Sequence, residues 1–259
     1  MTHVVRRRLA LAMLALVACA AGSSARAADA AAPTYAVLSL IGDQFTIVGR
    51  QMSTGSYLDR NSQLAVAVDD AALDAVATTA AESAVTRAHP EAATLRVSIR
   101  DPRLFALQER LFTDTADSKA MREALREVLV KSRATYLLLV VKHRDQALFA
   151  LRDGRIGSGT VAGLGFYVDD ATRTVRAETG ERSQGFIAPY AYVTVALLDV
   201  ATMRVVGSKS VSDSSVITPA DSRDAVVAWD ALDAEAKVRA LNNVILRAVG
   251  AAASDLLAR

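Results

Sequence analysis

Apolar and polar positions alternate along this chain in blocks whose period changes about half-way. TYAVLSLI (34–41) reads as a buried strand. DQFTIV (43–48) sets Phe45 and Ile47 against Thr46 and Val48, a second strand, and GRQMSTGSYLDRNSQ (49–63) reads as a loop. From Asp69 or Asp70, either of which can cap, a helix runs to His89-Pro90 with Leu73, Val76, Ala77, Ala80 and Ala84 on one face. Its alanines would let it lie close to a sheet. LRVSI (95–99) alternates, with Leu95, Val97 and Ile99 pointing one way.

Asp101-Pro102 opens another helix, carrying Leu104, Leu107 and Leu111 at helical spacing. One more, over 117–131, is predicted to turn Met121, Leu125 and Val128 inward. ATYLLLVVK (134–142) is the most uniformly apolar of the expected strands and fits a central strand covered on both faces. Beyond it the period falls to two. ALFALRDG, TVAGLGFYVDD and TRTVRAET read as successive strands with Gly and Asp turns, and AYVTVALLDV (191–200) with MRVVGSKSV (203–211) as a hairpin through Ala201-Thr202. Thr218-Pro219-Ala220-Asp221 has the form of a capping box for a helix through Trp229. A last helix, 233–258, aligns Val238, Leu241, Ile245, Ala248, Ala252 and Leu256. The expected fold class is α/β, a mixed β-sheet with helices packed on it, in a single domain over 34–259.

The first 27 residues stand outside that pattern. Arg6, Arg7 and Arg8, an apolar run from Leu9 to Ala18, and Ala25-Arg26-Ala27 match the three parts of a secretory leader. The apolar run is too short for a bilayer span of about 20 residues. Signal cleavage is expected after Ala27, with Ala25 and Ala27 as the small residues read, and residues 28–33 as linker. Leu16-Val17-Ala18-Cys19 also resembles a lipobox, in which Cys19 would be lipidated and start the mature chain. The two cuts stay open, and both make the protein exported, either periplasmic or held at the outer membrane by lipid on Cys19.

Composition then narrows the chemistry. The full chain has a net charge of +2, but the leader takes four arginines and no acid with it, leaving −2. Without a basic excess nucleic acid is not an expected partner. Cys19 is the sole cysteine, so the mature body has no disulfide, thiol nucleophile or cysteine metal ligand. His89 and His143 are too few for a histidine-dominated metal site, and no cofactor or metal is expected. GSGTVAGLG (157–165) lacks the strand–glycine–helix order of a phosphate loop, so Gly157, Gly159 and Gly163 are read as kinks or close approaches in a hairpin. Ser158 lacks the setting of a nucleophile elbow. Asp69-Asp70 and Asp169-Asp170 are read as a helix cap and a turn. Phe186, Tyr190 and Tyr192 in SQGFIAPYAYV suit either a sheet edge or, with the three glycines, a partner surface.

The order of elements, with AVLSL in the first strand, then SRATYLLLV, then VALLDVAT before a second strand, resembles the curli-secretion lipoprotein and penicillin-binding-protein activator lipoprotein group. In that group a strand ending in Asp-x-x-Thr-Gly turns into its hairpin partner. Here Asp199-Val200-Ala201-Thr202 matches, and Met203 stands in the glycine's place. The resemblance implies an exported, non-catalytic α/β module of the bacterial cell envelope that binds a protein partner or assembles, a homo-oligomer included. Two other readings remain: an exported carboxylate-dependent hydrolase, if His143 and several of Asp145, Asp169, Asp170 and Glu178 converge in one pocket, and a small-ligand carrier.

Overall fold

The centre of the fold is built from the two strands read from sequence as buried and central. In the computed structural model, which describes residues 32–51, 61–68, 71–112, 116–151, 154–175, 182–218 and 227–258, they form β1 (Thr34–Ser39) and β5 (Tyr136–Lys142). These pair in parallel, with Val37 opposite Leu138, and β4 (Ala93–Val97) adds in parallel on the far side of β1. The long strand β10 (Arg182–Asp199) runs antiparallel to β5. Its other pairings are with β9 (Thr160–Val175) and β11 (Arg204–Ser214), both antiparallel. β2 (Gln44–Gly49) lies parallel to β9, and β3 (Ser62–Ala67) closes that end. The order β3-β2-β9-β10-β5-β1-β4 is a mixed sheet. β6 (Arg144–Gln146) pairs with β9, while β7 (Phe149–Leu151) and β8 (Gly154–Ile156) make a separate hairpin. The described residues from Pro33 onward form one compact unit.

Alternation along the central strands supplies a core on each face. Val37, Leu138, Val140, Val193 and Val195 meet α1 (Ala72–Ala88) and α4 (Ala234–Leu257). Ala77, Ala80, Ala81 and Ala84 on α1 are buried, the small face expected for close approach. On the opposite face Leu38, Leu137, Leu139, Val141 and Leu198 meet α2 (Pro102–Leu107) and α3 (Ala116–Leu129). Asp101 caps α2 by accepting the Arg103 N–H at 2.9 Å, and Asp233 caps α4 through the Ala236 N–H at 2.7 Å. A third cluster lies where β9 and β10 extend beyond β5 and is covered by β7 and β8.

Several expectations shift in detail. Val238 is 59% exposed although Leu241, Ile245, Ala248, Ala252 and Leu256 are buried. It has the right angle on the helix but lies past the end of the surface that covers the stripe. On α3 Leu129 is buried and Val128 exposed, because the inward row continues from Leu125 by four residues. Leu95 is exposed because β4 is an edge strand. Ser62 and Gln63, read as loop, begin β3, and β6 was not expected. Asp169-Asp170 is no chain reversal: β9 runs straight through it as one strand. The irregularity there is a bulge, in which Gln184 pairs with Arg173 and Phe186 with Asp169. Trp229 lies in a short 3-10 turn, Ala228–Ala231, and positions 219–226, 52–60 and the Asp69-Asp70 cap lie outside the described residues.

The hairpin from β10 to β11 explains the missing glycine. Asp199 Oδ1 accepts the Thr202 N–H and hydroxyl, each at 2.7 Å, closing the turn. Met203 then takes φ 54°, the left-handed conformation that glycine adopts without strain. Its side chain is fully buried against the α3 face, which offsets that strain.

Candidate functional site

The parallel part of the sheet forms a crevice by its topology. From β1 the chain passes through β2 and β3, at the far end of the sheet, and then through α1 on one face to β4; from β4 it crosses α2 and α3 on the opposite face to β5, on the other side of β1. The connections at the carboxyl ends of β1 and β4 therefore diverge, the place where open α/β sheets accept ligands. A cavity of about 510 Å³ lies there, between the start of α1 and the start of α2. Asp74, in the first turn of α1, lines it. The Ser39 hydroxyl donates to Asp74 Oδ1 at 2.5 Å, and the Gly42 N–H at 3.2 Å, tying α1 to the end of β1. Burial raises the Asp74 carboxyl above its ordinary range, outweighing these bonds. Phe105 and Pro102 come from α2, Ile99 and Arg100 from the segment after β4, and Val68 from the end of β3. Asp43 completes the charged lining.

The residues proposed for hydrolytic chemistry are engaged separately. Asp169 is 1% exposed and accepts Arg50 Nη1 at 2.7 Å, the Ala171 and Thr172 N–H groups at 2.8 and 2.9 Å, and the Thr172 hydroxyl at 2.7 Å. Burial acts to raise its pKa, but the bonds from Thr172, Arg50 and Ala171 prevail and hold it below the ordinary carboxylate range. Asp170 points elsewhere and accepts the Ala228 N–H at 2.8 Å. Asp145 is exposed and accepts the Gln146 N–H at 2.7 Å. His143 is held through its backbone, donating to Tyr192 O and accepting from the Gly163 N–H. Glu178 lies outside the described residues, as do Cys19, Ala25 and Ala27. His89 closes α1 and stacks on Tyr35 with ring centroids 5.5 Å apart. Among the described residues, no three His, Cys, Asp or Glu side chains are placed to hold a metal.

Gly157, Gly159 and Gly163 all have left-handed φ, of 113°, 76° and 66°. A Cβ at Gly157 would strike the Ala147 carbonyl and approach the Phe149 ring to 2.9 Å. A Cβ at Gly163 would instead meet the Lys142 side chain at 2.8 Å, so a close backbone approach is seen at Gly157. Phe186, Tyr190 and Tyr192 are buried in the third cluster with Phe149 and Tyr167. Their strand, β10, is flanked on both sides, so it is neither a sheet edge nor an aromatic surface. Tyr192 Oη donates to Gln146 O at 3.1 Å, whereas Tyr190 Oη is buried without a partner among the described residues, and burial pushes its pKa up.

Among the described residues β3 is an exposed edge strand. It terminates the sheet, its residues SQLAVA carry no charge, and Leu64 is 62% exposed. The other open strands are charged. β4 places Arg96 against Glu82 of α1. β11 pairs Lys209 with Asp255 at 3.0 Å and Asp213 with Arg247 at 2.8 Å, both on α4. Charges on an edge oppose pairing with another chain, and β3 lacks them.

No family model matches this sequence, and no curated protein does. Solved structures similar to it include a PelC dodecamer from Paraburkholderia phytofirmans, at 13% identity and a TM-score of 0.32, covering 88% of both chains. A Xanthomonas campestris protein of family DUF330 is similar at 11% identity and a TM-score of 0.33, over 88% of this chain and 82% of that one. The LpoB C-terminal domain from Salmonella enterica is similar at 12% identity and a TM-score of 0.26, over 72% and 86%. At these levels the functional reading rests on this chain's own geometry. No helix among the described residues is long and apolar enough to cross a membrane.

The β3 edge and the crevice were both missed from sequence. SQLAVA is short and follows a polar stretch, so its period carries little signal. Asp74 looks like an ordinary first-turn acid until β1 brings Ser39 to it.

Proposed function

We propose that this chain is an exported, non-catalytic protein-interaction or assembly module of the bacterial cell envelope, and that β3 is its docking edge. The observation that carries the reading is the uncharged, exposed β3 at the end of a sheet whose other open strands are charged. Such an edge offers main-chain N–H and C=O groups to an added strand, and Leu64 offers an apolar anchor. The fitting partner is an extended, weakly charged segment of another protein or of a second copy. Export rests on the leader pattern, with lipid on Cys19 or cleavage after Ala27 as its two outcomes. The intact mass of the mature protein separates them.

The test places a photo-crosslinker at Gln63 in the full chain and irradiates native envelopes, with and without Leu64→Lys. The expected result is a defined crosslinked complex that the lysine variant loses while keeping its melting temperature. A monodisperse protein that has a turnover activity and forms no crosslink at Gln63 refutes the proposal. So does a complex unaffected by Leu64→Lys.

A further inference from the structure

We propose that the crevice at the carboxyl ends of β1 and β4 binds a small zwitterion of the amino-acid class, carrying an ammonium, a carboxylate and an apolar side chain. The cavity, about 510 Å³, is of the size that small-molecule sites occupy. Its wall holds both signs of charge. Asp43 and Asp74 line it together with Arg100, and none of the three is in an ion pair among the described residues. A ligand of one sign would leave the other sign uncompensated as it displaced water. A zwitterion meets both, with its ammonium at the carboxylates and its carboxylate at the guanidinium. Val68, Ile99 and Phe105 supply the apolar remainder of the lining.

Asp74 gives this arrangement direction. Its carboxylate is held by Ser39 and Gly42 on one oxygen, so its place is set before any ligand arrives. Burial raises its pKa against those bonds and against the attraction of Lys142, and an ammonium placed beside it would further stabilise the ionised form. The cavity meets β3 only at its last residue, Ala67, away from Gln63 and Leu64, so either reading can fail without the other.

Isothermal titration calorimetry of the purified full chain with leucine, phenylalanine and leucyl-leucine tests the assignment, with isoamylamine and 4-methylpentanoate as single-charge controls. The zwitterions are expected to bind and each control to bind at least about 10-fold more weakly. Arg100→Gln and Asp43→Asn, both at exposed positions, should each weaken binding about 10-fold without lowering the melting temperature. The proposal is overturned if no zwitterion binds up to about 10 mM, if a control binds as tightly, or if both variants retain full affinity.

Discussion

Replacing Asp169 by asparagine changes one atom's chemistry inside a buried cluster and leaves its shape intact. The asparagine Oδ1 still accepts the Ala171 and Thr172 N–H groups at 2.8 and 2.9 Å. The other oxygen, which receives Arg50 Nη1 and the Thr172 hydroxyl, each at 2.7 Å, becomes an amide that donates. The Thr172 hydroxyl can rotate to accept from it, but the guanidinium cannot. Removing one partner of a buried charge pair costs about 3–5 kcal/mol. Arg50 is partly exposed and can recover water, which puts the expected loss near 3 kcal/mol. For a folded body of this size that is a fall of about 6–12 °C in Tm. Urea denaturation at pH 7 measures it, with the exposed Asp145→Asn as a control expected to change stability by under about 0.5 kcal/mol. The pH dependence has a definite sign. The folded pKa of Asp169 is lowered, so the stabilisation is fully present above the unfolded value of about 3.9 and is lost as pH falls through the folded value. The gap between wild type and Asp169→Asn should therefore be flat from pH 7 to pH 5 and close below about pH 4. A loss under about 1 kcal/mol at pH 7, or a gap that persists undiminished in acid, refutes the account of this cluster.

Other positions test separate parts of the fold. At Gly165 an added Cβ would strike the Thr46 carbonyl of β2 and come within 2.7 Å of Tyr190 Oη, so Gly165→Ala should cost about 3 kcal/mol. Hydrogen exchange should show β2 and β3 losing protection before the central strands, and unchanged protection there counts against the strand contact. Tyr190→Phe removes a buried hydroxyl that has no partner among the described residues, and chemical denaturation should show a change within about 1 kcal/mol; a loss above about 2 kcal/mol means that the hydroxyl is satisfied. At Met203, glycine relieves a left-handed backbone worth about 1 kcal/mol but loses a fully buried side chain, whereas alanine loses the packing and keeps the strain. Melting temperatures should fall in the order Met, Gly, Ala, and an alanine variant as stable as the glycine variant rules out the strain argument.

The legible parts of this molecule are those whose signal is local. The stripe from Leu241 to Leu256, the alanine face of α1, the Asp101-Pro102 start and the unbroken apolar run of β5 each declare an element within one stretch of chain. The errors fall where a residue's surroundings come from elsewhere. Val238 and Leu95 have the correct period, yet their exposure depends on how far the covering layer reaches. Asp169-Asp170 has the composition of a turn, and Asp169 does form turn-like bonds to Ala171 and Thr172, but pairing with β10 carries β9 straight through.

By itself, then, the sequence determined an α/β body with a leader-like start, because periods of 2 and 3.6 and an apolar run are properties of neighbouring residues. Only the tertiary structure decided that Tyr190 and Tyr192 are interior, that Asp169 meets Arg50 across 119 positions, and that Ser39 and Asp74 close one side of a crevice. It also made β3 the uncharged end of the sheet. Each of these follows from which strands lie side by side. That order is set by the joint burial of distant segments and leaves no periodic trace in any one of them.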